Sequence, residues 1–138
     1  MVDPSPTMWD TSHEGVLGWL FVEFPEFSRW WRHYFGTDER LAGYQSHLAR
    51  QPDSGEVIPG CGGLRKDRWP DPRRGKGKRG GLRIIYLLIP EVRVIVLVDL
   101  YDKDEAIDLT PSEKKLLTRL ARQVREELIG RLGKDPRT

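Results

Sequence analysis

Two long apolar runs separated by one turn constrain the fold of this chain more than any other feature. Leu82–Ile89 and Val92–Tyr101 are nearly continuous in branched and aromatic residues, and Pro90-Glu91 lies between them. Runs of this length and composition are typical of strands that are covered on both faces. Because a short turn joins neighbouring antiparallel strands, the two runs predict the central hairpin of a sheet.

Weaker patterns before this hairpin predict two more strands and two helices. Aromatic and branched residues indicate a strand over Leu17–Phe24, and a short strand is expected over Leu64–Trp69. Between them, apolar residues recur at helical spacing from Pro25 to about Phe35, and again from about Asp38 to Arg50.

The clearest helix in the sequence follows the hairpin. Thr110-Pro111-Ser112-Glu113 combines a capping box with proline at the first helical position, and Gly130 or Gly133 is expected to end the helix. The sequence therefore predicts a small α+β domain. We expect a small antiparallel sheet, made of an N-terminal strand and a three-stranded meander, packed against two N-terminal helices and followed by a C-terminal helix.

The length of the chain indicates a single domain, and its composition indicates a location inside the cell. We expect a flexible N-terminal extension at 1–16, a single domain at 17–132 and a short tail at 133–138. Cys61 is the only cysteine, which excludes an internal disulfide and suits a reducing compartment. No secretory signal and no apolar run of about 20 residues is evident, so a cytoplasmic location is expected.

Positive charge is concentrated in one segment, Gly60–Arg83, which carries nine Lys and Arg against two Asp. The other 114 positions hold 14 basic and 19 acidic residues, so the overall charge of +2 hides a strongly basic segment. A charge run is most often a solvated loop, but clustering of one sign without compensating acids favours an anion-binding surface. Its glycines lack the spacing of a P-loop, which excludes that nucleotide cradle.

Strand alternation sorts these cations by face. In the strand Leu64–Trp69, the residues Leu64, Lys66 and Arg68 should share one face, and Arg65, Asp67 and Trp69 the other. Arg83 lies where an otherwise apolar strand leaves the basic segment, so its charge must reach solvent or a partner. Arginine binds phosphate with bidentate geometry.

Three ordered motifs resemble one protein family. The stretches GEVIPGCGGLRKDRW, RGKGKRGGLRIIYLLI and VLVDLYDKDEAIDLT are similar to the RelE/HigB-like toxins of type II toxin–antitoxin systems, within the RelE/ParE superfamily. The resemblance covers about Trp19 to Leu128. It implies a RelE-like fold and a ribosome-dependent mRNA endonuclease that arrests translation.

The same resemblance implies a mechanism and partners. Family members cut mRNA in the ribosomal A site without metal or cofactor: the 2′-hydroxyl attacks the adjacent phosphate, leaving a cyclic phosphate and a 5′-hydroxyl. The expected partners are ribosome-bound mRNA, 16S ribosomal RNA and a cognate antitoxin, a HigA-like helix-turn-helix protein. Operator DNA would be contacted only through the antitoxin, and no membrane is involved.

Site residues follow from the resemblance together with the charge pattern. Neighbouring cations lower the pKa of a lysine, so that its amine can accept a proton, and Lys76 or Lys78 is the expected base. By resemblance Arg83 faces the scissile phosphate. The expected catalytic residues are Lys76, Lys78, Arg83 and Lys103. The expected RNA- and ribosome-binding residues are Arg65, Lys66, Arg68, Arg73, Arg74, Arg79 and Tyr101.

Two alternatives remain open at this point. Asp104 directly follows Lys103, and no tyrosine occurs in Ile107-Asp108-Leu109, where some family members carry one that stacks on a base. These departures are compatible with a module that binds nucleic acid or the ribosome without cutting. Relatives of the same architecture also act on other targets such as gyrase, which fold alone cannot exclude.

Overall fold

A five-stranded sheet organises the computed structural model, which describes residues 16–36, 39–71, 81–102 and 110–133. The helices and strands are β1 (Leu20–Glu23), α1 (Pro25–Phe35), α2 (Glu39–Arg50), β2 (Glu56–Val57), β3 (Leu64–Trp69), β4 (Leu82–Ile89), β5 (Val94–Asp102) and α3 (Pro111–Leu132). The strand order is β1-β5-β4-β3-β2. The predicted α+β class, with a small sheet packed against helices, is confirmed.

The two apolar runs form the centre of this sheet. Strands β4 and β5 are antiparallel, from Leu82 opposite Asp102 to Ile89 opposite Val94, with a bulge at Ile85/Tyr86. Strand β5 begins two residues later than its sequence pattern indicated. The turn between the strands ends at Arg93, whose φ of 54° is incompatible with extended strand backbone.

The first strand differs in direction from the prediction. β1 pairs in parallel with β5, from Leu20 opposite Val94 to Glu23 opposite Leu97, so the sheet is mixed rather than wholly antiparallel. Two helices lie between β1 and the rest of the sheet in sequence, and a long connection allows a strand to be parallel. The apolar pattern of a strand is the same in both directions, so it gives no signal for this choice.

Two apolar layers cover the sheet, one on each face. Helices α1 and α2 pack on one face, where Phe21, Trp31, Tyr44 and Tyr86 are buried together. Helix α3 packs on the other, and this second layer contains the buried side chains of Val22, Leu64, Leu87, Val96, Ala121, Val124 and Leu128. Within the described ranges, no helix is both long and apolar enough to cross a membrane.

Helix α3 is fixed at both its start and its middle. Its predicted capping box is present: the Glu113 backbone N–H donates to Thr110 Oγ1 at 3.2 Å, and the Thr110 N–H donates to Glu113 Oε1 at 3.0 Å. The turn before β3 also approaches the helix closely. Gly62 has a φ of 69°, and a Cβ there would lie 2.9 Å from Thr118 Cα, so only glycine fits without a shift. This contact holds α3 over the start of β3, where Leu64 is buried with the helix.

Candidate nucleic-acid interface

The strand register groups six side chains on one face of the sheet, at and beyond the limit of the α3 layer, and Ile85 packs against that layer. Residues directly opposite each other on antiparallel strands share a face. The pairing places Arg68 opposite Arg83, and Arg83 opposite Tyr101. It also places Lys66 opposite Ile85, and Ile85 opposite Asp99. We call these six residues the open sheet face: Lys66, Arg68, Arg83, Ile85, Asp99 and Tyr101.

The next row of the same face marks where the helix begins to cover the sheet. Leu64 lies opposite Leu87, and Leu87 opposite Val96. All three side chains are buried with α3. In contrast, Lys66 and Arg68 are exposed, and the other four residues of the open sheet face are half-buried. Three cations and one aromatic ring are therefore accessible on one surface.

The electrostatics of this surface favour anion binding. Neighbouring strands are about 4.8 Å apart, so the arginines of adjacent strands are brought close together without an intervening acid in their row. Burial raises the pKa of Tyr101, the neighbouring Arg83 lowers it, and Asp99 raises it, with a net increase above the ordinary value of 10.0. The Tyr101 hydroxyl therefore keeps its proton at neutral pH and can donate to a phosphate oxygen.

Arg65 lies on the opposite face of the sheet from the other described cations of β3. Its Nη1 donates to the carbonyl oxygen of Gly55 at 2.7 Å. The same turn is held by Tyr86, whose hydroxyl donates to Pro52 O at 2.6 Å and accepts from Gly55 N at 2.9 Å. The structure thus gives Arg65 a contact within the fold and separates it from Lys66 and Arg68, as strand alternation indicated.

Six of the predicted site residues, Arg73, Arg74, Lys76, Lys78, Arg79 and Lys103, lie outside the described residues. The ends of the three strands that lead to them are described. Trp69 lies opposite Leu82, and Leu82 opposite Asp102. These three residues are at the ends of their strands, next to the row of Arg68, Arg83 and Tyr101. The chain therefore leaves β3, enters β4 and leaves β5 beside the open sheet face.

A polar cluster on the other face fixes the orientation of β3. Asp67 is 6% exposed and accepts hydrogen bonds from Tyr44 Oη at 3.1 Å and Ser54 Oγ at 3.0 Å. His47 Nε2 lies 3.0 Å from Ser54 Oγ and 3.4 Å from Asp67 Oδ2. Both contacts use the same ring nitrogen, whereas a catalytic triad uses the two nitrogens separately. With Asp67 held inward, its neighbours Lys66 and Arg68 must point to the open sheet face.

Sequence reasoning missed Asp99 as a member of this surface. The signal was present, because Asp99 is two residues before Tyr101 in a strand and must share its face. Ile85 was identified only as a strand residue, and the register now places it between Lys66 and Asp99.

Two further observations complete the description of the site. Within residues 16–36, 39–71, 81–102 and 110–133, no group of three or more His, Cys, Asp and Glu side chains is arranged to hold a metal ion. The chain matches no protein-family model.

Proposed function

We propose that this protein is a ribosome-dependent mRNA endonuclease of the RelE/HigB-like kind, which arrests translation in the cytoplasm. The observation that carries the proposal is the open sheet face, where Lys66, Arg68 and Arg83 lie beside Tyr101. Cations that follow a nucleic-acid backbone, combined with an aromatic ring on which a base can stack, are the usual means of binding single-stranded RNA. The resemblance of three sequence motifs to that toxin family supports the same conclusion.

The proposed reaction is attack of a 2′-hydroxyl on the adjacent phosphate. It requires a base for the hydroxyl proton, cations for the charge that develops on the phosphate oxygens, and an acid for the leaving 5′-oxygen. Arg83 lies between Arg68 and Tyr101 in one row of the open sheet face. We assign Arg83 to the scissile phosphate, with Arg68 and the Tyr101 hydroxyl beside it.

The base is assigned to a lysine close in sequence to the start of β4. Lys78 precedes Gly81 by three residues, and three extended residues span at most about 11 Å. Lys103 directly follows Asp102 at the end of β5. We propose Lys76 or Lys78 as the base that accepts the 2′-hydroxyl proton. We propose that Lys103 supplies further positive charge for the reaction.

A protein with this activity must be restrained in the cell that makes it. We propose that a cognate helix-turn-helix antitoxin binds the toxin and blocks the open sheet face or entry into the ribosome. Arrest of growth on expression of the chain, relieved by co-expression of a neighbouring helix-turn-helix gene, would support this part of the proposal. Arrest that no such neighbour relieves would contradict it.

The experiment that tests the function compares mRNA cleavage with and without ribosomes. Purified protein is added to a translation extract and to the same extract depleted of ribosomes, and cleavage is mapped by primer extension. A second mRNA carries a 2′-O-methyl group at the main cleavage position. The proposal predicts cleavage only with ribosomes and only with the free 2′-hydroxyl.

The other outcomes separate the alternatives. Salt-sensitive RNA binding without any product would indicate a binding module. Cleavage of the methylated RNA at the same position would refute the mechanism, because no 2′-hydroxyl is then present to attack.

A further inference from the structure

Asp99 is the only carboxylate among the six residues of the open sheet face. A carboxylate repels phosphate, so the proposed phosphate binding does not explain an acidic residue at this position. Asp99 is not in the same row as Arg68 and Arg83. It lies opposite Ile85, one row closer to α3. A ligand group that approaches Asp99 would therefore be a hydrogen-bond donor rather than a phosphate.

The carboxylate is held in a defined orientation. The backbone N–H of Leu100 donates to Asp99 Oδ1 at 2.8 Å. An ionised carboxylate offers about four acceptor positions on its two oxygens, so this bond leaves acceptor capacity for a ligand. The side chain is half-buried, which limits the alternative positions it can adopt.

The environment of Asp99 makes its charge unfavourable in the free protein. Burial raises the pKa of Asp99 above its usual value, and Glu26 raises it further, while the Leu100 N–H and Arg29 lower it. Groups whose pKa is raised by burial in this way occur frequently at binding and catalytic sites. A donor from a ligand would compensate for the lost hydration.

The position of Tyr101 indicates what kind of donor this is. Asp99 and Tyr101 lie on the same face of β5 and are two residues apart, which corresponds to about 6.8 Å along the strand. A nucleobase stacked on the Tyr101 ring would extend over a comparable distance and place one of its edges at Asp99. Stacking alone accepts any base, so selectivity must come from contacts at that edge.

We propose that Asp99 reads the edge of the base that stacks on Tyr101, and that it selects guanine. Guanine presents two adjacent donors on its pairing edge, N1–H and the N2 amino group, which match the two oxygens of a carboxylate. Adenine and cytosine present one amino donor beside an acceptor nitrogen, and uracil presents one donor between two acceptors. This inference rests on the proposed function, since it assumes that the open sheet face binds RNA.

The test is a binding measurement that does not depend on cleavage. The full chain is titrated with fluorescent five-nucleotide RNAs that carry 2′-O-methyl groups throughout and so lack the attacking hydroxyl. The central base is guanine, uracil or hypoxanthine, which lacks the N2 amino group of guanine. Wild type should prefer guanine over uracil by roughly 5- to 150-fold, the range expected for one bidentate base contact. Hypoxanthine should fall between the two.

Asp99→Asn provides the matched variant, because it keeps the shape of the side chain and replaces one acceptor oxygen by a donor. It should bind the three RNAs nearly equally, whereas Arg119→Ala, on the face of α3 away from the sheet, should retain the wild-type order. Equal binding of the three RNAs by wild type, or an unchanged guanine preference in Asp99→Asn, overturns the inference and leaves the proposed nuclease function standing. Wild-type binding to none of the RNAs would also overturn the inference, whereas the proposed nuclease function, which requires the ribosome, is tested separately by the cleavage assay.

Discussion

The opposed pair Arg68 and Arg83 should destabilise the free protein, and this cost can be measured. Like charges directly opposite each other on neighbouring strands are unfavourable. If the two guanidinium groups are taken as about 6 Å apart, a little more than the separation of about 4.5–5.5 Å between opposite Cβ atoms, the repulsion is about 0.7 kcal/mol in bulk water and about 2.8 kcal/mol at the effective dielectric constant of a protein surface. Arg68 is exposed and Arg83 is half-buried, so we expect a value of about 1 kcal/mol.

A double-mutant cycle isolates this repulsion from the other contacts of each arginine. The free energy of unfolding in urea is measured for wild type, Arg68→Gln, Arg83→Gln and the double variant, at low salt and at 1 M salt. The two single substitutions should be coupled by about 1 kcal/mol at low salt. The coupling should nearly vanish at 1 M salt, where the Debye length is about 3 Å.

The pair Arg83 and Arg119 serves as the control for this cycle. Arg119 is an exposed cation of α3 that points away from the sheet, so its substitution should add to that of Arg83 without coupling. A favourable Arg68–Arg83 coupling, or one that persists unchanged at 1 M salt, would refute the arrangement of charges on which the phosphate site depends.

Three further predictions test the backbone at Gly62 and the titrating groups Asp99 and Tyr86. Gly62→Ala should lower the free energy of unfolding by about 1–2 kcal/mol because its backbone is left-handed, and by a further amount because the new Cβ would overlap Thr118. Gly43→Ala, within α2, should raise the free energy of unfolding by about 0.5–1 kcal/mol. Shifts of the same sign in urea titrations would contradict this. The pKa of Asp99 is raised in the folded state, so the free energy of unfolding of the protein should fall as pH increases above about 3.9. Asp99→Asn should therefore raise the Tm at pH 7 and leave it unchanged at pH 3. Burial raises the pKa of Tyr86 to about 12, so the free energy of unfolding should fall as pH rises from about 10 through 12. An unchanged free energy of unfolding over that interval would contradict the buried position of the Tyr86 hydroxyl.

Much of the fold could be predicted because strong local patterns specify it. The strands Leu64–Trp69 and Leu82–Ile89 have the predicted bounds, and α3 begins at the predicted capping box. These elements have apolar periodicity, proline or capping residues that act within a few positions of the chain. Lys66, Arg68, Arg83 and Tyr101 could be expected on the same surface once the strands were aligned.

The rest depended on contacts between distant parts of the chain. The parallel direction of β1 follows from how α1 and α2 return the chain to the sheet, and β2 contains only two residues, too few for a periodic pattern. The position of α3 over the start of β3 is set by the close approach of Gly62 to the helix. Asp99 is placed beside Arg83 only by the register between β4 and β5, which no local pattern specifies.

The rate of mRNA cleavage on programmed ribosomes tests the central claim most directly. Wild type, Arg83→Ala and Arg119→Ala are compared under single-turnover conditions, after each has been shown to be folded. If Arg83 stabilises the charge on the scissile phosphate, its loss should slow cleavage by about 100-fold or more, while Arg119→Ala should cut at the wild-type rate. Equal rates for wild type and Arg83→Ala would contradict the assignment of the open sheet face as the cleavage site.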